Sequence, residues 1–170
     1  NSLIEQFHYL GYCHPVGEQL KYVVYAHKRP IACPSWSSAP RHIGCRDRFI
    51  GWSQQSRQKH ISLMAYNSRF LILPWIRVKY LASKALSLSL RRLGADWEKT
   101  YEHPLYLAET FVDISRFSGT CYQAANWIEV GRTKGSAKKG NEYRYHGRAK
   151  AIYLYPLHPH FRRFLLDDQG

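Results

Sequence analysis

Acidic residues are the first candidates for chemistry in this 170-residue chain, because two-metal phosphoryl transfer needs two or three convergent carboxylates. The acids near recognisable sequence motifs are Asp47, Glu109, Asp113 and Glu129. Glu109 and Asp113 would share one face of a strand, but roughly 13 Å apart at ~3.3 Å per residue. One metal ion could bridge them only if the chain bends before Asp113. The sequence favours structural roles for these acids instead, with Asp113 capping the next helix and Asp47 pairing with Arg46 or Arg48. A metal-dependent nuclease using Asp47, Glu109, Asp113 and Mg²⁺ is our third hypothesis.

The histidines and cysteines do not show the spacing of a metal site. Only His158 and His160 lie close together, and the proline between them restricts how they could converge. The four cysteines include no C-x-x-C pair, so we expect neither a zinc ribbon nor a disulfide framework. Cys121 has no histidine near it in the sequence and is better explained as a small buried thiol than as a nucleophile. We therefore predict no bound metal and a reducing, cytoplasmic location.

Positive charge is concentrated in two segments of the chain. There are 25 lysines and arginines against 12 acids, which gives a net charge of +13. The first segment contains no acid and carries Arg77, Lys79, Lys84, Arg91 and Arg92. The second has Glu142 as its one acid and carries Arg132, Lys134, Lys138, Lys139, Arg144, Arg148, Lys150, Arg162 and Arg163. A surface that only keeps a protein in solution would spread its charge, so these segments predict binding to a polyanion such as DNA.

Aromatic residues strengthen the nucleic-acid hypothesis in the second segment. Tyr143 and Tyr145 lie among its cations, where rings can stack on exposed bases while the cations hold phosphates. With four glycines and few apolar residues, 131–148 is predicted to be a long basic loop that becomes ordered on binding. The tryptophans next to apolar runs are instead expected in the core: Trp52, Trp75, Trp97 and Trp127.

The elements that must position these residues alternate between strands and helices. Strands are predicted at 21–25, 31–36, 69–73, 105–112 and 151–155, with a hairpin turn at 26–30. Helices are predicted at 4–12, 53–60, 81–94 and from 115 or 120 to 125. Ser53 would cap the second helix, Gly94 would end the third, and Pro34 would make its strand an edge or a broken strand. This order predicts one α/β domain over 1–170, a single mixed β-sheet flanked by helices.

The connection that leads into the helix at 81 could bind an anion, because a helix start presents free N–H groups and a positive dipole end. Residues 77–82, with the sequence RVKYLA, resemble the pyrophosphate-binding turn R/Q-x-x-G-x-G/A of the GNAT acetyltransferases. Tyr80 stands at the first glycine of that pattern. Residues 119–127 resemble the end of a GNAT helix, with Asn126 at its glycine. The resemblance implies a GNAT acyltransferase-like fold.

This resemblance also implies roles for two residues and a cofactor. Tyr122 would protonate the leaving thiolate, and Glu109 on the preceding strand would be the general base. The cofactor would be acetyl-coenzyme A, but we expect weak or no binding, because the Cβ of Tyr80 would keep backbone amides from the pyrophosphate. An acyltransferase that acts on nucleic acid or protein is our second hypothesis.

A closer resemblance covers almost the whole chain. Its motifs occur in one order: HYLG at 8–11, VGEQLKY at 16–22, RDRFIGW at 46–52, NSRFLILP at 67–74, LAS at 81–83, ETFVD at 109–113, then GTCY and AANW within 119–127. This ordered set resembles the DruA family, named from the Druantia anti-phage defence systems and also found beside bacterial transposons. The resemblance implies a setting of DNA and mobile elements. Family members usually begin before HYLG, so we expect this chain to lack an N-terminal part.

The first hypothesis is therefore a DNA-binding, DruA-like domain in phage defence or a mobile element. We expect no required cofactor, no membrane association, and other defence-system or transposon proteins as further partners. No run of 18 apolar residues and no leader of the signal-peptide type is present. The residues expected to bind nucleic acid are Arg77, Lys79, Lys84, Arg91, Arg92, Arg132, Lys134, Lys138, Lys139, Tyr143, Arg144, Tyr145 and Arg148.

Overall fold

The computed structural model describes residues 1–11, 14, 16–133, 136–139, 142–145 and 148–166, with 136–139 and 142–145 described by their backbone alone. Its helices are α1 Ser2–Phe7, α2 Gly44–Ile50, α3 Gln54–His60, α4 Leu81–Tyr101, α5 Thr120–Ala124 and α6 Phe161–Leu165. Its strands are β1 Gln19–Lys21, β2 Val24–Ala26, β3 Arg29–Ser38, β4 Met64–Ile72, β5 Leu107–Asp113, β6 Ile128–Arg132, β7 Ser136–Lys139, β8 Glu142–Tyr145 and β9 Lys150–Pro156. Across these residues, no helix is both long enough and apolar enough to cross a membrane.

Seven strands form one mixed sheet in the order β1-β3-β4-β5-β9-β6, and β2 also pairs with β3. β4 and β5 run parallel, and the other neighbouring strands of this sheet run antiparallel. A parallel pair needs a crossover connection, which α4 provides. β7 and β8 form a separate antiparallel pair. The predicted fold class, a mixed α/β sheet flanked by helices, is confirmed.

The two faces of the sheet bury separate cores. The face covered by α4 and α5 buries Trp36, Leu93, Trp97, Ala108 and Tyr122. The face covered by α2 and α6 buries Ile50, Met64, Leu107, Leu154 and Phe161. Because side chains alternate along a strand, successive residues of β5 belong to opposite faces. This alternation decides which of the predicted site residues can meet.

Several local predictions are confirmed where the sequence carries a local signal. The Ser53 hydroxyl accepts a hydrogen bond from the Ser56 N–H at 3.0 Å and so caps α3. The hairpin between β2 and β3 turns at His27 and Lys28, both with positive φ. The apolar runs predicted as strands form β4, β5 and β9, and β4 ends shortly before Pro74.

Gly94 does not end the helix as predicted, because α4 continues to Tyr101. A glycine inside a helix costs about 1 kcal/mol relative to alanine. Leu93 and Trp97 lie on the same buried stripe on either side of Gly94, and both are fully buried. Their packing against the sheet outweighs the weak local preference, and Glu102 ends the helix with a φ of 62°.

Other boundaries differ where packing rather than local sequence decides. α1 ends at Phe7 rather than near residue 12, and α2 lies in a stretch for which neither a helix nor a strand was predicted. The stretch 131–148 contains the paired strands β7 and β8 rather than one long loop. β3 is a continuous inner strand despite Pro34, since Pro34 lies opposite the gap between β1 and β2. Trp75, expected in the core, is 57% exposed.

Candidate functional site

The principal cleft lies where β4 and β5 separate. The two strands pair only at Met64–Tyr66 with Leu107–Glu109. Beyond these residues β4 stays with β3 and β5 stays with β9, so a gap opens in the sheet. The gap forms a cavity of about 620 Å³, lined by the far halves of both strands, α5, and residues 7–10 of the N-terminal segment. This volume is in the range of small-molecule sites, about 300–1,000 Å³.

Tyr122 contributes its hydroxyl group to the interior of this cleft. Its hydroxyl donates to Oδ1 of Asn67 at 2.9 Å and lies 3.4 Å from the Thr110 hydroxyl. Asn67 is held in this orientation because its Nδ2 donates to the Ser35 carbonyl at 3.0 Å. Burial strongly raises the pKa of Tyr122. The hydroxyl therefore keeps its proton at physiological pH and can act as a donor.

The backbone on either side of α5 positions Tyr122. Gly119 precedes the helix with a φ of 73°, and a Cβ there would lie 2.6 Å from the Tyr153 hydroxyl, so glycine is required. Asn126 follows the helix with a φ of 65°. Asparagine is one of the residues that tolerates this left-handed conformation. Asn126 therefore adopts the left-handed backbone conformation that is typical of glycine, the residue found at this position of the GNAT pattern.

Glu109 does not share the cleft with Tyr122. It belongs to the opposite face of β5, where it is fully buried and contacts Arg46 of α2. The Arg46 guanidinium lies 3.0 and 3.2 Å from the two carboxylate oxygens. Burial raises the pKa of Glu109 to about 7, although Arg46 opposes this shift. The sequence-based pairing of Glu109 as base with Tyr122 as acid is therefore corrected, because the sheet separates them.

The three carboxylates of the nuclease hypothesis are not brought together for a metal. Asp47 and Glu109 both contact Arg46, so a guanidinium occupies the space between them. Asp113 lies four residues further along β5, where its carboxylate accepts hydrogen bonds from the N–H and hydroxyl of Ser115. The hydrogen bonds from Ser115 lower the pKa of Asp113. In the described part of the chain, no three histidine, cysteine, aspartate or glutamate residues are close enough to hold a metal ion.

The mouth of the cleft combines two residues that the sequence analysis singled out, Lys150 and Asp113, with groups that it missed. Arg69, Arg116 and Lys150 line it, and Asp113 is the one acid among its described lining residues. Tyr9 also lines the cleft, and the Arg116 guanidinium lies 4.2 Å from the centre of its ring. No local pattern marks Arg69 or Tyr9, because they meet only through the path of the N-terminal segment. That segment is held by a hydrogen bond of 3.1 Å from Arg69 Nε to the Gly11 carbonyl.

The predicted nucleic-acid-binding residues divide into four groups. Four exposed cations lie before α4 and along its first half: Arg77, Lys79, Lys84 and Arg91. Two others pair with acids: Arg92 with Asp96 at 3.2 Å, and Arg132 with Glu129 at 3.1 Å. Arg148 is exposed close to the cleft. The remainder lie outside the described side chains: Lys134, Lys138, Lys139, Tyr143, Arg144 and Tyr145.

The start of α4 adjoins the cleft through Ala82. Tyr80 precedes the helix with a φ of 61° and is 74% exposed. Glycine is the residue that usually adopts this conformation. Tyr80 therefore adopts the left-handed backbone conformation that is usual for glycine, the residue at this position of the GNAT pattern.

Comparisons with known proteins agree with this architecture. The family model of DruA, described as Druantia protein DruA, matches residues 1–141. No curated protein sequence matches the chain. Among solved structures, an N-acetyltransferase from Staphylococcus aureus is 14% identical with a TM-score of 0.51, over 82% of this chain and 68% of that one. A chimera of the Vibrio cholerae spermidine N-acetyltransferase SpeG is 13% identical with a TM-score of 0.53, over 82% and 67%.

A third similar structure carries a ligand. Mycobacterium smegmatis RimJ, in complex with CoA-disulfide, is 12% identical with a TM-score of 0.52, over 81% of this chain and 53% of that one. Likeness at this level of identity shows the fold alone, because one fold hosts many functions. The GNAT-like fold expected from the sequence is thus confirmed.

Proposed function

Because the chain belongs to the DruA family, we propose that it is a DNA-binding domain that works in phage defence or in a mobile element. The observation that carries the proposal is the row of exposed cations before α4 and along its first half: Arg77, Lys79, Lys84 and Arg91. None of these four forms an ion pair within the described residues. Their charge is therefore available to phosphate groups. We call these four residues the α4 basic row.

The spacing of the α4 basic row suits a phosphate backbone. Lys84 and Arg91 lie on one side of α4, since residues three, four and seven apart share a helix face. They are about 10 Å apart along the axis at ~1.5 Å per residue. Arg77 and Lys79 extend the row beyond the helix start. Duplex DNA carries one charge per ~1.7 Å of its axis, so the row can contact several phosphates at once.

A charge-matched pair of variants tests this proposal. The variant K79A/K84A/R91A removes three cations of the α4 basic row and should weaken binding to a labelled duplex at least tenfold, or about 1.4 kcal/mol, at physiological salt. The control R29A/R41A/R48A removes three exposed cations elsewhere, so its net charge is the same. The control should lose less than about threefold in affinity, because the cations that it removes would not contact phosphate groups at the interface. Melting temperatures should stay close to that of the wild type, since exposed charges contribute little to stability.

Two results would contradict the proposal. Equal affinities of the wild type and K79A/K84A/R91A would mean that the α4 basic row does not contact DNA. An equal loss in both triple variants would mean that net charge alone, without a defined surface, drives binding.

A second candidate function is acyl transfer from a coenzyme A thioester, and the separation of β4 and β5 around Tyr122 favours it. RimJ, which shares the fold, is known in complex with CoA-disulfide. Tyr122 keeps its proton and would donate it to a leaving thiolate. Ala82 would contact the cofactor at the start of α4, because it lines the cleft. The described lining contains Asp113 as its one carboxylate, and Glu109 lies on the far face.

Calorimetry with acetyl-coenzyme A decides between the two candidates. We expect weak or no binding, because Tyr80 places a Cβ where the GNAT turn has a glycine. Micromolar binding that is lost in Tyr122→Phe or by filling the cleft with Ala82→Trp would place the acyltransferase first. Binding unaffected by both changes would place the ligand elsewhere on the protein.

A further inference from the structure

The cleft between β4 and β5 has features that neither the fold nor the α4 basic row requires. Two large rings stand exposed at its mouth, Tyr9 at 41% and Phe117 at 47%. Their centres are 5.3 Å apart, and the Arg116 guanidinium lies over the Tyr9 ring. The rings come from different parts of the chain, the N-terminal segment and the loop between β5 and α5. Because Arg116 and His8 already lie against Tyr9 and the two rings are tilted by 54°, a base would stack on Phe117 with Tyr9 at its edge.

The charge at this mouth complements a phosphate group. Arg69, Arg116 and Lys150 contribute three cations against the carboxylate of Asp113 among the described lining residues. Asp113 is already engaged by two hydrogen bonds from Ser115. The neighbouring His8 adds no charge at neutral pH, because burial and the nearby Arg69 lower its pKa to about 4. A monoanion that bears an aromatic group is therefore favoured over a neutral or cationic ligand.

The buried residues inside the cleft favour an unpaired base over a base pair. The floor of the cleft is the hydrogen-bonded group formed by Tyr122, Asn67 and Thr110. The Tyr122 hydroxyl donates its proton to Asn67 and accepts from the Thr110 hydroxyl at 3.4 Å, so its second lone pair is the acceptor that a ligand N–H would use. A base within a duplex is stacked on both faces and cannot enter a pocket, whereas an unpaired one can.

We propose that this cleft receives one unpaired nucleotide of a nucleic acid strand, with the base stacked on Phe117 beside Tyr9 and the phosphate between Arg69, Arg116 and Lys150. The inference rests on the proposed function, since the α4 basic row would hold the adjoining duplex. The two surfaces are continuous, because Ala82 of α4 lines the cleft. The domain would then recognise a junction between double- and single-stranded DNA.

Three labelled DNA probes test the inference on the full chain. They are a short blunt duplex, the same duplex with a short thymidine tail, and the same duplex with a tail of equal length that lacks bases. The wild type should bind the thymidine tail about tenfold more tightly than either other probe, which is an ordinary gain for one stacked base. Tails on the 3′ and 5′ ends are measured separately.

Variants locate the effect in the cleft. Tyr9→Ala and Phe117→Ala should each remove most of the tenfold preference for the tail and leave the affinity for the blunt duplex unchanged. Tyr9→Phe should keep the preference, because it keeps the ring. Tyr25→Ala, a matched exposed tyrosine on β2, should change neither value. K79A/K84A/R91A should weaken all three probes by a similar factor.

The outcomes separate the inference from the proposed function. Equal wild-type affinity for all three probes would overturn the inference and leave duplex binding intact. A preference for the tail that survives both Tyr9→Ala and Phe117→Ala would also overturn it. Binding to tailed DNA without any affinity for the blunt duplex would support the inference and contradict the role of the α4 basic row. No binding to any probe would overturn both.

Discussion

The two faces of the sheet use charged residues in opposite ways. Under α2, Arg46 and Glu109 are completely buried, and Asp47 joins them with Arg57 and Trp52 as further partners. Along α4, the basic row is exposed and has no acidic partner among the described residues. The buried group satisfies its own charges, whereas the exposed group leaves its charge for a ligand. Chemically similar residues therefore contribute to folding on one face and, in the proposed function, to binding on the other.

This division has an energetic reason. A buried charge is costly without a partner, so the Arg46 guanidinium also donates to the Pro40 and Arg41 carbonyls. An exposed cation is solvated and contributes little to folding, so it can be selected for binding alone. Stability and DNA affinity should therefore respond to different substitutions.

Arg46→Ala should have the largest effect, a loss of about 3–5 kcal/mol in the free energy of unfolding, because it leaves Glu109 buried without a partner. DNA affinity measured well below the melting temperature should be unchanged. Arg92→Ala is the control, since Arg92 forms an exposed pair with Asp96, and its loss should cost at most about 1 kcal/mol. Urea unfolding of the three proteins measures this. Similar losses in both variants would show that the buried group is not special.

Glu109→Gln should change the pH dependence of stability. The pKa of Glu109 is raised from 4.5 to about 7 in the fold, so the folded state holds a proton between these values that the unfolded state has released. The wild type should therefore lose stability as pH rises from 4.5 to 7, by up to about 3 kcal/mol relative to Glu109→Gln. Unfolding at pH 5 and pH 7.5 measures the difference. Parallel pH profiles would mean that Arg46 keeps Glu109 ionised throughout.

The cations in the sequence of β7 and β8, which belong to the second basic segment, can be compared with the α4 basic row. K138A/K139A/R144A should weaken DNA binding about tenfold, or ~1.4 kcal/mol, because these cations would contact phosphates. Titration of one labelled duplex against wild type and variant measures it, with thermal melts alongside. A large fall in melting temperature would place these residues with the structural charges instead.

Tyr80→Gly should have the smallest effect, a gain of about 0.5 kcal/mol or less in stability. A tyrosine with a φ of 61° is strained, and glycine relieves this strain but adds freedom to the unfolded chain. The same variant sharpens the second candidate function, because it restores the GNAT pattern at 77–82. Its binding of acetyl-coenzyme A should exceed that of the wild type only if the cleft is a coenzyme site.

The parts of this fold that depend on local signals could be predicted from the sequence. The apolar runs of β4, β5 and β9 and the Ser53 cap were predictable, because each is decided within a few residues. The predictions at Gly94 and Pro34 were wrong, because local preference was overridden at both. The packing of Leu93 and Trp97 continues the helix past Gly94, and Pro34 lies opposite the gap between β1 and β2. Glu109 and Tyr122 were correctly placed on neighbouring elements, but only the register of β5 shows that they face opposite ways. The cleft depends on where two parallel strands separate, which no local pattern encodes.

The salt dependence of DNA binding tests the central claim most directly. Each phosphate contact adds about −0.9 to the slope of log affinity against log salt for duplex DNA. We expect a slope magnitude of at least ~4 for the wild type and a decrease of about 2 to 3 in K79A/K84A/R91A. A flat profile for the wild type, or an unchanged slope in that variant, would contradict the assignment of the α4 basic row to DNA.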